Sequence, residues 1–336
     1  MGDAAGIGPE VLLKAVHDSE VLALCRPLLV GHPEVLRRTL KVIGSTRALT
    51  EIQSPQQVHA VRDEELACWC PCQNDVVDVP LGTNDARSGQ AAYDCLVAAA
   101  QAALRHEVDA ITTAPLSKAA LRMAGRHYPG HTEILAEECG VTDFGMMLYL
   151  PRGEIVQAAC GLGVVHTTLH TSIRSVPDLL TTDGIAEKIR LMHDFMHRVG
   201  CTEPRVAVCA LNPHAGEGGL FGDEEARLIG PAVDRCRAEG IQACGPFPTD
   251  TLMRRAVSGE FDGVVAMYHD QGHIALKLIA FDRAVNVTLG LPIVRTSPSH
   301  GTAFDIAGHN KASADGMREA IRVAALLCRS TNTSPR

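Results

Sequence analysis

Three histidines stand where strand-like segments end. His170 follows the apolar stretch 164–169, His214 follows 206–211 through Asn212-Pro213, and His269 closes the stretch 264–268. In open α/β sheets, ligands gather at the carboxyl edge of the strands. Neutral imidazoles from three such ends can form an open divalent metal site, with water or substrate in the remaining positions. This donor set suits Zn2+, Mn2+ or Co2+ better than Mg2+, unless substrate oxygens complete a mixed set. The plainer alternative, for each taken alone, is a loop histidine bonded to backbone. Asp270 directly follows His269 and can act as a ligand, as the partner of a ligand or as a proton carrier.

A second group of residues suits anions. Gly130-His131-Thr132-Glu133 precedes a predicted helix, and a helix start with His131 and Thr132 donating seats a phosphate or carboxylate. Asn212-Pro213-His214-Ala215-Gly216-Glu217-Gly218-Gly219 is a glycine-rich loop whose backbone can approach a ligand closely. Lys277, Asn286 and Arg295 fall in the apolar C-terminal stretch, where a charge is costly without an anionic partner. An ordinary turn, a capped helix and solvated faces are the plainer alternatives. Other chemistries lack their motifs. Ala5-Gly6-Ile7-Gly8-Pro9-Glu10 is not G-x-G-x-x-G, because Val11 occupies the last glycine position. No phosphate-binding G-x-x-x-x-G-K-[ST] and no G-x-S-x-G elbow occur.

The elements that must position these residues alternate along the chain. Helices are expected over 7–19, 88–106, 183–199 and 312–328, with Asp183 capping the third and Gly200 ending it. Strands are expected over 27–30, 110–113, 206–211 and 264–268. The tail 330–336 reads as polar and frayed. Alternation of this kind means an α/β fold with a largely parallel sheet. The 336 residues, 46% of them apolar, suffice for about two lobes. A net charge of −8 without basic runs argues against nucleic acid. No apolar run reaches the roughly 18 residues that span a bilayer, and Met1-Gly2-Asp3 opens no export signal, so a cytoplasmic protein is expected. The twelve cysteines then read as reduced thiols. Cys68-Trp69-Cys70-Pro71-Cys72 reads as a surface loop, since its spacing differs from C-x-x-C.

Taken together and in order, several segments identify a family. They are Gly2-Asp3-Ala4-Ala5-Gly6-Ile7-Gly8-Pro9-Glu10, Gly130 to Glu133, Leu211 to Gly219, Ala266-Met267-Tyr268-His269-Asp270-Gln271-Gly272, Asn286 to Pro292 and His300 to Gly308. The chain resembles the 4-hydroxythreonine-4-phosphate dehydrogenase family of pyridoxal phosphate biosynthesis from Gly2 to about Leu327. The resemblance implies a two-lobed fold like isocitrate and isopropylmalate dehydrogenases. Residues 1–125 with 285–336 would form the cofactor-side lobe, and 126–284 the substrate, metal and dimerisation lobe. It implies a homodimer with a shared active site, a divalent metal (Zn, Mn, Co or Mg) and NAD or NADP. The metal ligands would be His170, His214 and His269. The substrate residues would be His131, Thr132, Lys277, Asn286 and Arg295, with Gly301 and Asp305 in the cofactor loop. Asp270 or Lys118 would carry the proton.

The sequence departs from the family pattern in places. It begins at the Gly2-Asp3 motif, ahead of which the family has a strand, and Ala4 replaces a usual proline. His166 and His273 are additional histidines. They make the chain similar to a branch acting on phosphorylated four-carbon sugar acids. The expected reaction is oxidation with decarboxylation of 4-phospho-D-threonate or 4-phospho-D-erythronate, to a ketone phosphate such as dihydroxyacetone phosphate. The alternative is oxidation of 4-hydroxy-L-threonine 4-phosphate, and a remoter one is a non-catalytic sensor of phosphorylated ligands.

Overall fold

A computed structural model describes residues 1–73 and 75–331. In chain order the strands are β1 Leu28–Val30, β2 Leu49–Ile52, β3 Leu66–Trp69, β4 Ala110–Thr112, β5 Gly145–Leu150, β6 Leu162–His166, β7 Arg205–Cys209, β8 Gln242–Phe247, β9 Gly263–Ala266, β10 Val285–Leu289 and β11 Val294–Pro298. Helices alternate with them, so the protein is α/β, and most strand pairs are parallel. Two compact units emerge. One is Met1–Thr142 with Leu291–Cys328, and the other is built on Asp143–Gly290.

In the first unit β3 lies between β1 and β2, and β4 pairs in parallel with β11. The helix Ala86–Leu104 starts at Asp85, whose carboxylate accepts from the Arg87 N–H at 2.8 Å. Its small residues Ala99, Ala100 and Ala103 allow close packing by the helices Lys118–Met123 and His131–Cys139. Ile134 and Leu135 of the last helix thus join Leu96 and Ile111 in one core. This apolar face is why His131 and Thr132 belong to the first unit, although the sequence suggested a lobe beginning at 126. Asn286 conversely belongs to the second unit, which extends to Gly290.

In the second unit β5 is antiparallel to both β10 and β6, while β6, β9, β7 and β8 follow in parallel. Only β5 is therefore reversed, and the carboxyl ends of β6, β9 and β7 share an edge. β5, β6 and β9 are buried at every residue, which explains their unbroken apolar character.

Several expected boundaries move for local reasons. The helix expected over 7–19 is two, Gly8–Ala15 and Ser19–Leu24, because the Asp18 carboxylate caps a new start by accepting from Glu20 N–H at 2.8 Å. Thr181, not Asp183, caps the helix Thr182–Arg198 by accepting from Gly184 N–H at 3.0 Å. The last helix is Asp315–Thr331. The cysteine patch is no surface loop. Cys68 lies in β3, and Cys68 and Cys72 are buried in the first unit's core. Of the tail expected to fray, 332–336 lie outside the described residues. Among the described residues no helix is long and apolar enough to cross a membrane.

Candidate active site

The largest correction concerns His269. β9 stops at Ala266, Tyr268 is extended, and His269 opens the helix His269–Ala280. The turn is braced by Gln271. Its Oε1 accepts from Met267 N–H at 2.7 Å, and its Nε2 donates to the Ala210 carbonyl at 2.7 Å and to Thr249 Oγ1 at 3.0 Å. One side chain thus ties the ends of β9 and β7 to the next helix. On a helix, His269, His273 and Lys277 stand four residues apart and share one face.

That face collects imidazoles. The His269 and His273 rings stack with centroids 3.8 Å apart and planes 11° apart. His170 reaches the same place from the segment after β6, its centroid 5.7 Å from that of His269. His166, the last residue of β6, is buried with its Nε2 3.0 Å from His273 Nδ1. Burial pushes the His166 ring down to about 4 and the His273 ring to about 2, so both are neutral at physiological pH. The Asp270 carboxylate lies 2.7 Å from His269 Nδ1. A proton on Nδ1 donates to that carboxylate and leaves Nε2 with its lone pair outward, the usual way a second group presets a metal-binding imidazole. Asp270 is therefore placed as the partner of His269.

Two imidazoles on one tetrahedral ion, with N–metal lengths of about 2.0–2.1 Å, have ring centres roughly 5–5.5 Å apart. His170 and His269 are close to that spacing. Parallel stacked rings such as His269 and His273 cannot aim nitrogens at a common ion. His214, the third expected ligand, does not join them. Among the described residues no group of three or more His, Cys, Asp or Glu side chains closes on a metal position. Of the three expected ligands, one chain therefore brings His170 and His269 close to each other.

His214 sits in different surroundings. Its backbone and those of Ala215, Gly216, Glu217 and Gly218 are all left-handed, with φ of 52°, 55°, 79°, 46° and 68°. Three of the five carry a Cβ, for which this conformation costs about 1–2 kcal/mol each. Buried Glu225 offsets that strain. Its Oε1 accepts from the Leu211 and Asn212 N–H groups at 2.8 and 2.7 Å, and its Oε2 from Asn212 Nδ2 at 3.0 Å. The side chain of His214 is exposed.

Lys277 is half-buried, with its Nζ 5.8 Å from the centre of the Phe281 ring. Asn286, on β10, is opposite Leu148. Its Oδ1 is buried and has no hydrogen-bond partner among the described residues, which leaves it an acceptor for a ligand donor.

The first unit holds the other expected substrate residues. Arg295, on β11, is 2% exposed and donates from Nη2 to Thr113 Oγ1 at 2.7 Å. Burial, partly offset by Glu133, lowers its guanidinium to about 10, so it remains charged at neutral pH. Burial also holds His131 well below the ordinary 6.5, and Arg295, the terminal amine of Met1 and Lys118 add to the effect. A neutral imidazole thus stands at a helix start, with buried Thr132 beside it, the kind of position that can donate to an anion. Lys118 is exposed at the first position of its own helix.

The loop expected to bind the cofactor follows β11. Its Thr302 carbonyl accepts from Ile7 N–H at 3.0 Å, so the N-terminal motif serves as its seat. Gly301 and Asp305 are exposed on it, and a Cβ on Gly301 would meet nothing within 4 Å.

Sequence reasoning noticed His166 and His273 as additional but gave them no place in the site. The signal was available in the four-residue step from His269 to His273, once His269 is put on a helix rather than a strand.

Known proteins resemble the chain over nearly its whole length. The family model described as pyridoxal phosphate biosynthetic protein PdxA matches residues 23–324. A 4-hydroxythreonine-4-phosphate dehydrogenase from Geobacter metallireducens is 45% identical over 98% of this chain and 94% of that protein. A D-threonate 4-phosphate dehydrogenase from Salmonella typhimurium is 42% identical over 97% of each. The crystal structure of a 4-hydroxythreonine-4-phosphate dehydrogenase from Klebsiella pneumoniae superposes with a TM-score of 0.82, at 41% identity and 98% coverage of both chains. On sequence and structure alike, the chain belongs to the PdxA family.

Proposed function

We propose that the protein is an NAD- or NADP-linked dehydrogenase that oxidises and decarboxylates a phosphorylated four-carbon hydroxy acid, 4-phospho-D-threonate or 4-phospho-D-erythronate. The observation that carries this reading is the pairing of His170 with His269, the latter hydrogen-bonded to Asp270 at Nδ1. It is a half-built site for an ion that polarises a hydroxyl. Support for the sugar acid comes from the additional histidines His166 and His273, of which His273 stacks on the ring of His269 and His166 lies against His273.

His131, Thr132, Lys277, Asn286 and Arg295 are the substrate-binding residues in this reading, as the family resemblance implies. Asp270 keeps His269 in one tautomer, and Asp270 or Lys118 takes the hydroxyl proton. When bound, a divalent ion supplies Lewis acidity at the substrate hydroxyl, and a nicotinamide supplies the hydride acceptor. Oxidation at the β-carbon of 4-phospho-D-threonate gives a β-keto acid, and loss of CO2 from that keto acid leaves dihydroxyacetone phosphate.

The third imidazole comes with a second copy of the chain in this reading. Each ligand-bearing segment also exposes apolar side chains: Ile173 at 74% after His170, Leu220 at 72% after His214, and Leu278 at 82% after His269. Exposed apolar groups of this size mark a contact surface, and a partner copy covering them would also approach the imidazoles.

The test is NADH or NADPH formation with 4-phospho-D-threonate, 4-phospho-D-erythronate and 4-hydroxy-L-threonine 4-phosphate. Turnover of a sugar acid at a kcat/KM at least about tenfold above that of the amino substrate is expected, a gap of about 1.4 kcal/mol. Preference for the amino substrate would transfer the protein to the vitamin branch. Binding without turnover of any of them would make it a sensor.

A further inference from the structure

The helix His269–Ala280 runs against β6 at one unusually tight point. A Cβ on Gly272 would lie 2.6 Å from His166 Nε2 and 2.7 Å from Val164 Cγ1, so only glycine lets helix and strand meet here. The approach brings His273 Nδ1 to 3.0 Å from His166 Nε2. His166 Nδ1 is 3.3 Å from the Met146 carbonyl, which can only accept. His166 therefore carries its proton on Nδ1, its Nε2 is bare, and His273 must donate to it from Nδ1. Two apolar side chains would fill this space without the cost of burying polar atoms. What the imidazoles add is a ring whose orientation is set by hydrogen bonds rather than by packing alone. That ring is the one lying flat against His269, 3.8 Å away.

We propose that His166 and His273 are positioning residues for His269: His166 anchors the His273 ring, and His273 is the plate that sets the plane of His269, so that Asp270 holds Nδ1 and Nε2 stays free to bind. The consequence for metal binding rests on the reading of His269 as a metal donor. The positioning itself does not.

The test uses 15N-labelled full-length protein. Long-range 1H–15N spectra of the metal-free wild type should show His269 as a single tautomer protonated at Nδ1. His273→Ala should turn that signal into a tautomeric average and weaken Co2+ binding about 10- to 100-fold, the usual effect of removing a group that orients a ligand. His166→Phe, which fills the buried volume but offers His273 no acceptor, should have the same effects at several-fold smaller size. A purely structural role would lower the melting temperature of both variants and leave the His269 tautomer and Co2+ affinity unchanged, and that result overturns the proposal. If His273→Ala fails to fold by circular dichroism, His166→Phe decides alone. A wild type that binds no Co2+, yet shows the tautomer change, would remove the metal reading and leave the positioning role in place. Equal Co2+ binding with an unchanged tautomer would do the reverse.

Discussion

His269 and His214 follow adjacent parallel strands and reach the same sheet edge, yet the chain holds them in opposite ways. His269 opens a regular helix. Asp270 bonds its Nδ1, His273 lies flat on one face, and Gln271 ties its turn to β7. His214 stands exposed in a run of five left-handed residues that follows Leu211 and Asn212, whose N–H groups donate to Glu225. The first donor is set by packing before anything binds. The second is carried on strained backbone, and such strain persists where the surroundings enforce it and function uses it. In the proposed reading, the first imidazole would define the position of an ion and the second would complete the set.

This contrast can be broken at several points. The largest expected effect is at the preset side. His269→Ala should weaken Co2+ or Zn2+ binding by more than about 100-fold, beyond what loss of a merely orienting neighbour produces, as measured by titration of the metal-free protein. Retention of near wild-type affinity would remove His269 from the donor set. On the strained side, Glu225→Ala leaves the Leu211 and Asn212 N–H groups without their acceptor, at a cost of about 2–4 kcal/mol in unfolding free energy. Urea denaturation measures this. A loss under about 0.5 kcal/mol, within the range of ordinary surface substitutions, would show that the loop does not depend on Glu225.

A smaller effect is expected at Ala215, whose φ is 55°. Ala215→Gly should stabilise the metal-free protein by up to about 1 kcal/mol, because glycine adopts this conformation without the Cβ penalty. A destabilised variant would mean that the left-handed run stores no strain there.

His131 lies between the two extremes, half-buried and neutral, and its contribution is one of pH. Its folded value is held well below 6.5 by burial, then by Arg295. The folded state therefore binds fewer protons than the unfolded chain as the medium turns acid. The stability linked to this group is fully present above about 6.5 and drains away as the pH falls below it. His131→Asn should flatten the fall in melting temperature below pH 6.5 relative to wild type. Parallel curves for the two proteins would contradict the assigned shift.

Much of this site is legible in the sequence. The segments bearing His170, His214 and His269 stand out because buried parallel strands are unbroken apolar runs, and the residues just after such a run fall on the ligand edge. The helix start at His131 is legible because Gly130 precedes it. The features that stay hidden depend on partners distant in sequence. Gly272 makes sense only against Val164 and His166, more than a hundred residues earlier, and the left-handed run at 214–218 depends on a carboxylate beyond it in the chain. The strand-like run 264–268 misplaces His269 because Tyr268 extends the apolar pattern past the last strand residue, Ala266. The helix at His131 moves to the first unit because its apolar face fits Ala99, Ala100 and Ala103, a match that no local pattern reports.

X-ray absorption on the zinc-loaded protein tests the central claim most directly, by counting imidazoles on the ion. Three nitrogens from histidine at about 2.0–2.1 Å in the wild type, falling to two in His214→Ala, is the predicted result. Two or fewer in the wild type, or an unchanged count in the variant, would contradict the convergence of His170, His214 and His269 on one metal ion.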